Sequence, residues 1–324
     1  MLLTASIARR PLFMSAIITI LLNTLALPSW SQRIPRVEWG FQNDNDLYLL
    51  NRQDQYYTNG LLLSVHRAVD SLRLSQHEAN RVWGIYGGQQ IYTAYTGQIS
   101  EIEEVDRPIT AYLFLGADLS RYYTDESVLQ LNVELGTIGR SALGRQAQES
   151  IHKAFNLYDI SGWQYQLENA FGFDIGAKYA RLLYRGGEWF DLTAQATGTL
   201  GLHHTNVAVS PVFRVGRINP LYATALFSGR LQSRRTNVAN ELFFYIRPQV
   251  SWIAYDATIQ GGLLKQNKGP VVLEPNRWIL SKQVGVVYAR HAFTFNLHYT
   301  FNTKESPHMF FRHQYGSLGL SYRY

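Results

Sequence analysis

Apolar and polar residues alternate along most of the chain after residue 32, a pattern typical of β-strands that present two different faces. In residues 293–302, for example, bulky apolar side chains hold the odd positions and Thr, Asn and His hold the even ones. About twelve such segments occur, near residues 35–43, 56–66, 82–92, 108–119, 127–138, 163–179, 188–201, 204–217, 241–255, 276–290, 292–303 and 314–324. Each is long enough for a tilted strand to cross a bilayer, which takes roughly 9–11 residues.

These segments favour a membrane barrel over a secreted β-sandwich, whose strands average only about 5–6 residues. A barrel in lipid turns its apolar rows outward and keeps polar rows inside, and its sheet must close because hydrocarbon offers no partner for backbone groups. We therefore predict an all-β, antiparallel, up-and-down transmembrane barrel of about twelve strands. An even number of strands places both termini in the periplasm, so segments 46–55, 93–107 and 139–162 are expected on the outer side.

One outer segment departs from the alternation. In Ser141–Asn156, the apolar residues recur at helical spacing. Gln148 and His152 are four residues apart, so they share one flank of that helix. The spacing predicts a short helix in an extracellular loop, placed on or in the mouth of the barrel.

The first 31 residues have the organisation of a secretory signal peptide. Arg9 and Arg10 precede an apolar run over residues 12–27, and Ser29 and Ser31 supply small residues before Gln32. An uncleaved anchor helix is the alternative. We predict a signal peptide over 1–31, a barrel domain over 32–324, and location in the bacterial outer membrane.

Composition narrows the possible chemistry. The chain has no Cys, which excludes disulfides, thiol enzymes and Cys-based zinc sites. Its 30 Lys and Arg exceed its 24 Asp and Glu, but no run of basic residues is present, so a nucleic-acid partner is not expected. A lipid partner bearing phosphates fits this modest positive charge.

Three polar clusters map to the outer rim. The first, residues 42–46, is Gln-Asn-Asp-Asn-Asp; its oxygens suit Ca²⁺, although a plain polar loop has the same composition. The second, residues 54–60, opens the second strand, where alternation places Thr58 on the lumen side; it could equally be a turn. The third is His152, either a structural residue or a base that works near neutral pH.

Two common catalytic motifs are absent from the sequence. Neither the serine-nucleophile motif G-x-S-x-G nor the zinc motif H-E-x-x-H occurs. Their absence favours a mechanism in which the nucleophile is water, activated by a base and helped by a metal.

The order and spacing of these clusters carry a family resemblance. Phe41-Gln42-Asn43-Asp44 and Asp54-x-Tyr56-Tyr57-Thr58-Asn59-Gly60 resemble the opening of the LpxR family of outer-membrane lipid A 3′-O-deacylases. The likeness continues through Gln90–Thr93, Asp106-Arg107-Pro108, 135–139, Gly144-Arg145, Gln148, His152 and 162–169, so it covers residues 36 to 175.

This resemblance implies a twelve-stranded barrel and a Ca²⁺-dependent esterase that removes the 3′-acyloxyacyl group of lipid A. By position, it implies catalytic roles for Asn43, Thr58 and His152, and calcium binding by Asp44. The sequence departs from the family at Tyr158, which stands where the enterobacterial type has an acidic residue, so the adjacent Asp159 is the expected second metal ligand. A family Lys falls near Ile99, where this chain has none.

We expect hydrolysis of an ester on an outer-leaflet glycolipid, with His152 taking a proton from water and Ca²⁺ stabilising the oxyanion. Lipid A or lipopolysaccharide is the expected partner, surrounded by outer-membrane lipid, and the barrel is expected to be a monomer. One rival is a non-catalytic porin or adhesin. The other is a Ca²⁺-dependent outer-membrane phospholipase, whose serine nucleophile would be Ser150 or Ser141.

Overall fold

The computed structural model describes residues 35–49, 54–231 and 239–324. The predicted signal peptide, residues 1–31, lies outside the described residues.

Twelve antiparallel strands close into a single barrel, in which each strand pairs with its sequence neighbours and β1 pairs with β12. This confirms the predicted architecture and strand number. The strands are β1 (Val37–Asn45), β2 (Tyr57–Ala68), β3 (Glu78–Tyr92), β4 (Thr110–Tyr123), β5 (Ser127–Ile138), β6 (Ala170–Gly186), β7 (Phe190–Gly201), β8 (His204–Arg217), β9 (Glu241–Asp256), β10 (Trp278–Arg290), β11 (Phe293–Asn302) and β12 (His313–Arg323).

Alternation along each strand sorts side chains between lipid and lumen. In β4, Leu113 and Leu115 are exposed on the outer wall, whereas Tyr112 and Phe114 are buried inside. The lumen also holds charged and polar pairs, such as His66 with Asp118, whose ring nitrogen and carboxylate oxygen lie 3.1 Å apart. The apolar outer wall is the surface that a barrel presents to acyl chains.

The predicted sixth strand, 163–179, begins too early. Trp163–Tyr165 instead form a 3-10 turn, and β6 runs over Ala170–Gly186. Gly162 has a φ of +96°, which a residue with a side chain rarely adopts, and this geometry turns the chain at that point. The Trp163 side chain packs into a buried loop cluster with Ile99 and Ile109, so these aromatic and apolar residues belong to a loop core and not to the wall.

The predicted outer helix is present between β5 and β6 as α1 (Gly144–Phe155). Its buried face consists of Gly144, Gln148 and His152, whereas Leu143 before it and Phe155 at its end are 50 % and 60 % exposed. A second short helix, α2 (Ala257–Gln260), lies in the loop after β9. No helix within the described ranges is long and apolar enough to cross a membrane.

The helix lies against the outer surface of the barrel wall. The segment before it packs Ala142 with Ile91 of β3 and Ala111 of β4. Both of these residues continue the outward rows of their strands, and a Cβ on Gly144 would come 2.4 Å from the Cβ of Ala111. The buried face of α1 therefore faces the wall and the neighbouring loops, where Ala147 also packs, and Phe155 at its end is exposed.

At the other end of the barrel, the loop after β8 folds into the lumen. We call its described part, residues 218–231, the periplasmic plug, because this end carries most of the short turns. Leu221 and Leu231 are fully buried against lumen residues that include Val82 and Tyr122. The plug thus fills the periplasmic end of the barrel.

Candidate active site

His152 and Asp54 form a buried pair at the outer end of the barrel. Nε2 of His152, on α1, lies 2.8 Å from Oδ2 of Asp54, in the segment before β2. The other ring nitrogen, Nδ1, lies 2.7 Å from the carbonyl oxygen of Tyr158. Since a carbonyl only accepts, Nδ1 carries a hydrogen that it donates to Tyr158. Nε2 also faces an acceptor, so the direct contact with Asp54 holds a hydrogen between the ring and the carboxylate.

A chain of hydrogen bonds holds this pair in place. The side-chain amide of Gln148 donates to Oδ2 of Asp54 at 2.7 Å. The indole nitrogen of Trp163 donates to Oε1 of Gln148 at 2.8 Å. Gln148 and Trp163 are both buried, so water cannot easily replace either bond. Gln148 thereby holds the same carboxylate oxygen that faces the imidazole.

Tyr158 completes the surroundings of the pair. Its phenol oxygen accepts a hydrogen bond from the backbone N–H of Asp54 at 3.3 Å, and its ring meets the His152 imidazole edge-on with centroids 4.8 Å apart. Burial raises the pKa of Tyr158, and the negative charges of Asp54 and Asp46 raise it further. A neutral phenol thus occupies the position where the resembling family has an acidic residue.

Close packing leaves no room for a side chain at Gly97. A Cβ at this position would come 2.5 Å from the phenol oxygen of Tyr158 and 3.1 Å from Oδ2 of Asp54. The loop before β4 therefore approaches the pair with its backbone.

The structure places Asn43 and Asp44 on opposite faces of β1. Asp44 is buried on the lumen side, where Tyr57 donates to Oδ2 and Gln42 donates to Oδ1, both at 2.8 Å. Asn43 continues the outward row, donates to the carbonyl of Gly60 at 2.9 Å and accepts from the Tyr48 hydroxyl at 2.6 Å. Neither residue forms a hydrogen bond with His152.

Thr58 and Asp159 lie in different environments from each other. Thr58 is 3 % exposed and sits at an irregularity of β2 between Tyr57 and Asn59, so alternation along β2 does not fix the direction of its side chain. Asp159 is exposed just beyond α1, and its backbone carbonyl accepts from the Gln98 amide at 3.4 Å. The described hydrogen bonds of Asp159 and of Asp44 have no partner in common.

The rim carboxylates suit calcium in their chemistry, and each of them already accepts hydrogen bonds within the protein. Asp44 and Asp54 each already accept two side-chain hydrogen bonds, and Asp46 accepts from the backbone of Gln55 at 2.7 Å. Within the described ranges, no three His, Asp or Glu residues gather closely enough to hold a metal ion. Since Ca²⁺ takes six to eight oxygen ligands, amide and carbonyl oxygens would have to supply most of the ligands of an ion held at these carboxylates.

Beside the pair, an ion cluster ties the outer loops together. Nε of the buried Arg107 donates to Oε2 of Glu305 at 3.0 Å, and its guanidinium lies 4.2 Å over the Tyr92 ring. On the other side, Nδ1 of His313 lies 3.3 Å from Oε1 of Glu305. Arg107 also donates to Thr258 at 3.1 Å, so residues 93–109, 257–277 and 303–312 are joined across the mouth.

The Glu305 carboxylate gives this cluster a defined pH dependence. Burial would raise its pKa, but the charges and hydrogen bonds of Arg107 and His313 outweigh burial and lower the pKa from 4.5 to about 2. A carboxylate with a depressed pKa stabilises the fold above its unfolded pKa, and this contribution is lost as the pH falls through the folded pKa. We expect on the order of 3 kcal/mol to be lost between pH 4.5 and 2.

The measurement is the free energy of unfolding by urea in detergent at several pH values, for the natural chain and for Glu305→Gln. The natural chain should lose more stability than the variant as the pH falls through that window. Parallel pH curves for the two proteins would contradict the assignment.

Comparisons with known proteins agree with this architecture. The family model described as outer membrane protein LpxR matches residues 12–324. The structure of LpxR from Salmonella typhimurium superposes with a TM-score of 0.69 at 16 % identity, over 89 % of this chain and 100 % of that one. The search of curated proteins found no match.

Other outer-membrane barrels are more distant. The beta domain of the Bordetella autotransporter BrkA has a TM-score of 0.46 at 12 % identity, covering 90 % of this chain and 99 % of its own. The translocator domain of the autotransporter NalP from Neisseria meningitidis has a TM-score of 0.41 at 11 % identity, covering 98 % of each chain. With the family model matched over residues 12–324 and the closed twelve-stranded barrel in place, the chain belongs to the LpxR family of outer membrane proteins.

Proposed function

We propose that this protein hydrolyses an acyl ester of a glycolipid in the outer leaflet, namely the 3′-acyloxyacyl ester of lipid A. The observation that carries the proposal is the buried His152–Asp54 pair, 2.8 Å apart at the outer end of the barrel. A base paired with a carboxylate is the arrangement that activates a nucleophile. The family match supplies the substrate class.

In the proposed reaction, the pair has released the hydrogen between Nε2 and Oδ2, and water enters between these two atoms. The water attacks the ester carbonyl while Nε2 of His152 takes its proton. The imidazolium that forms is stabilised by the Asp54 carboxylate, and Gln148 keeps that carboxylate in position. The bond between the acyl carbon and the sugar oxygen then breaks, and the proton passes from Nε2 to the leaving alcohol. The carbonyl of Tyr158 holds the ring in the correct tautomer throughout.

The placement of α1 determines where the substrate enters. The helix lies on the outer wall, and Leu143, Phe155 and Leu157 leave apolar surface exposed beside the pair. Acyl chains of an outer-leaflet lipid can lie along this surface and along the exposed Leu113 and Leu115 of β4. The ester is therefore expected to reach His152 from the membrane and not from the lumen.

Mass spectrometry of lipid A from cells that express the protein tests this function. We expect a species lighter by one acyloxyacyl group, and we expect it to be absent when His152→Gln is expressed at the same level in the membrane. Unchanged lipid A in cells that hold the folded natural barrel would refute the proposed activity.

The structure gives the two rival functions less support. The periplasmic plug buries Leu221 and Leu231 in the lumen, whereas a porin needs an open passage. A serine hydrolase needs its hydroxyl on the His, but Ser150 donates to the carbonyl of Gln146 at 2.7 Å and the Ser141 hydroxyl lies 2.6 Å from that of Thr137. Inactivation of the enzyme by a serine-directed phosphonate would nevertheless favour the phospholipase hypothesis.

Calcium dependence is a separate proposal that rests on the family resemblance. We expect a chelator to abolish deacylation by the purified barrel and added Ca²⁺ to restore it, with Asp44→Asn raising the Ca²⁺ concentration that is needed. Bound ⁴⁵Ca²⁺, counted directly, separates metal binding from catalysis. Full activity in the chelator would show that the His152–Asp54 pair works without the ion.

A further inference from the structure

A groove on the outer wall, far around the barrel from α1, combines an apolar floor with a basic rim. It has a volume of about 620 Å³, and its floor is formed by Val250 of β9 and by Trp278 and Leu280 of β10. All three floor residues belong to the exposed, outward rows of their strands. Lys304 and Arg312 line its upper edge. We call this surface the basic groove.

The rim of the basic groove is held firmly on the strand ends. The side-chain amide of Asn276 donates to the carbonyl of Lys304 at 2.8 Å, and its backbone N–H donates to the carbonyl of Glu305 at 2.7 Å. Thr303 and Leu280 exchange two further hydrogen bonds, at 2.9 and 3.1 Å. The backbone that carries Lys304 is therefore fastened to the strand ends above the apolar floor.

These charges lack the partners that neighbouring cations have. Arg107 pairs with Glu305, and Arg277 lies 3.7 Å from Glu274. Among the residues that the structure describes, no carboxylate forms an ion pair with Lys304 or Arg312. An anion from outside the chain can therefore bind there without displacing an internal partner.

A third cation extends the same surface toward the bilayer. Lys282 is exposed on the outward row of β10, directly opposite Phe301 in the ladder with β11. The guanidinium of Arg312 lies 5.8 Å from the centre of the Phe301 ring. A lysine on the lipid face is costly at the middle of the bilayer and cheap near the interface. Lys282 follows Leu280 on the outward row of β10, so it places the apolar floor of the basic groove at the membrane interface.

We propose that the basic groove is a second lipid site that holds a phosphorylated glycolipid of the outer leaflet apart from the ester-cleaving pair. Lys304 and Arg312 would bind the phosphates, and the sugar rings with the first part of the acyl chains would cover Val250, Trp278 and Leu280. Bidentate and charge-assisted hydrogen bonds make such a phosphate contact strong. In the barrel, β12 and β1 lie between this site and β2, so the two lipid sites occupy different parts of the wall.

Native mass spectrometry of the full mature barrel tests the site, because it counts bound lipids. All proteins carry His152→Gln so that the lipid stays intact, and the probe is lipid A bearing two phosphates. We expect the double variant Lys304→Gln/Arg312→Gln to bind one of its lipid A molecules about tenfold more weakly. The control Arg67→Gln/Arg181→Gln removes the same charge from exposed positions near the periplasmic end and should bind as the parent does.

Two further probes identify the ligand. Lipid A stripped of phosphates should bind parent and groove variant equally, and phosphatidylglycerol should compete poorly with lipid A. Equal affinities of the groove variant and its parent for lipid A would overturn the proposal, as would an equal loss in the control. Because the readout is binding, it is independent of whether the chain cleaves an ester.

Discussion

Asp54→Asn and His152→Gln are each expected to lower the rate of deacylation by about 10²–10⁴-fold, the range for losing a positioned general base. His152→Gln removes the nitrogen that takes the proton. Asp54→Asn removes the negative charge that stabilises the imidazolium at 2.8 Å. Because both act on the same proton, the double variant should be little worse than either single one.

The measurement is kcat/KM of the purified barrel on lipid A in mixed micelles, followed across pH. Asp54→Asn should shift the pH profile of the residual activity, which a purely structural loss would not do. Glu149→Gln is the matched control, because Glu149 lies on the same helix and, within the described residues, forms an ion pair only with the exposed Arg145. Exposed ion pairs of this kind contribute about 0–1 kcal/mol, so this variant should stay active.

A folded Asp54→Asn barrel with full activity would remove Asp54 from the mechanism. For each variant, a difference in gel migration between unheated and heated samples shows that the barrel is folded. Gln148→Ala should have a smaller effect than either substitution, since Gln148 acts on His152 only through the carboxylate.

Alternation predicted the barrel well because the bilayer forces a strict division between lipid-facing and lumen-facing residues. It failed at segment 163–179, where Trp163 and its neighbours are as apolar as a strand but pack a loop against Gln148 and Ile99. Two-residue periodicity does not distinguish these uses of aromatic residues. The turn at Gly162 depends on a backbone conformation that the pattern does not encode.

The site was only partly accessible to the sequence. The spacing of Gln148 and His152 predicts one helical flank, and the structure aims both side chains at Asp54. Asp54 itself opens a recognised cluster, yet nothing in its spacing indicates which distant residue it meets. Asn43 and Asp44 are neighbours in one motif, which suggests a shared site. Because side chains alternate along a strand, the two residues point to opposite faces of β1.

Arg214→Ala should destabilise the barrel by about 3–5 kcal/mol, the usual cost of leaving one partner of a buried ion pair alone. Arg214 is fully buried, and its guanidinium binds both carboxylate oxygens of Asp191, with Nε 2.9 Å from Oδ1. Arg185 also reaches Asp191 at 3.1 Å, so a value near the lower end is expected. Urea unfolding in detergent measures the loss.

The same substitution should loosen the periplasmic plug. Arg214 donates to the Thr224 hydroxyl at 2.8 Å and to the Asn219 carbonyl at 3.1 Å, so it fastens the plug to the wall at two points. We expect the natural barrel to be silent in planar bilayers and Arg214→Ala to conduct ions. Arg214→Met combined with Asp191→Asn removes the unpaired charge and should recover stability while the plug stays loose. If both variants unfold like the parent and remain silent, the plug is held by its buried leucines and not by this arginine.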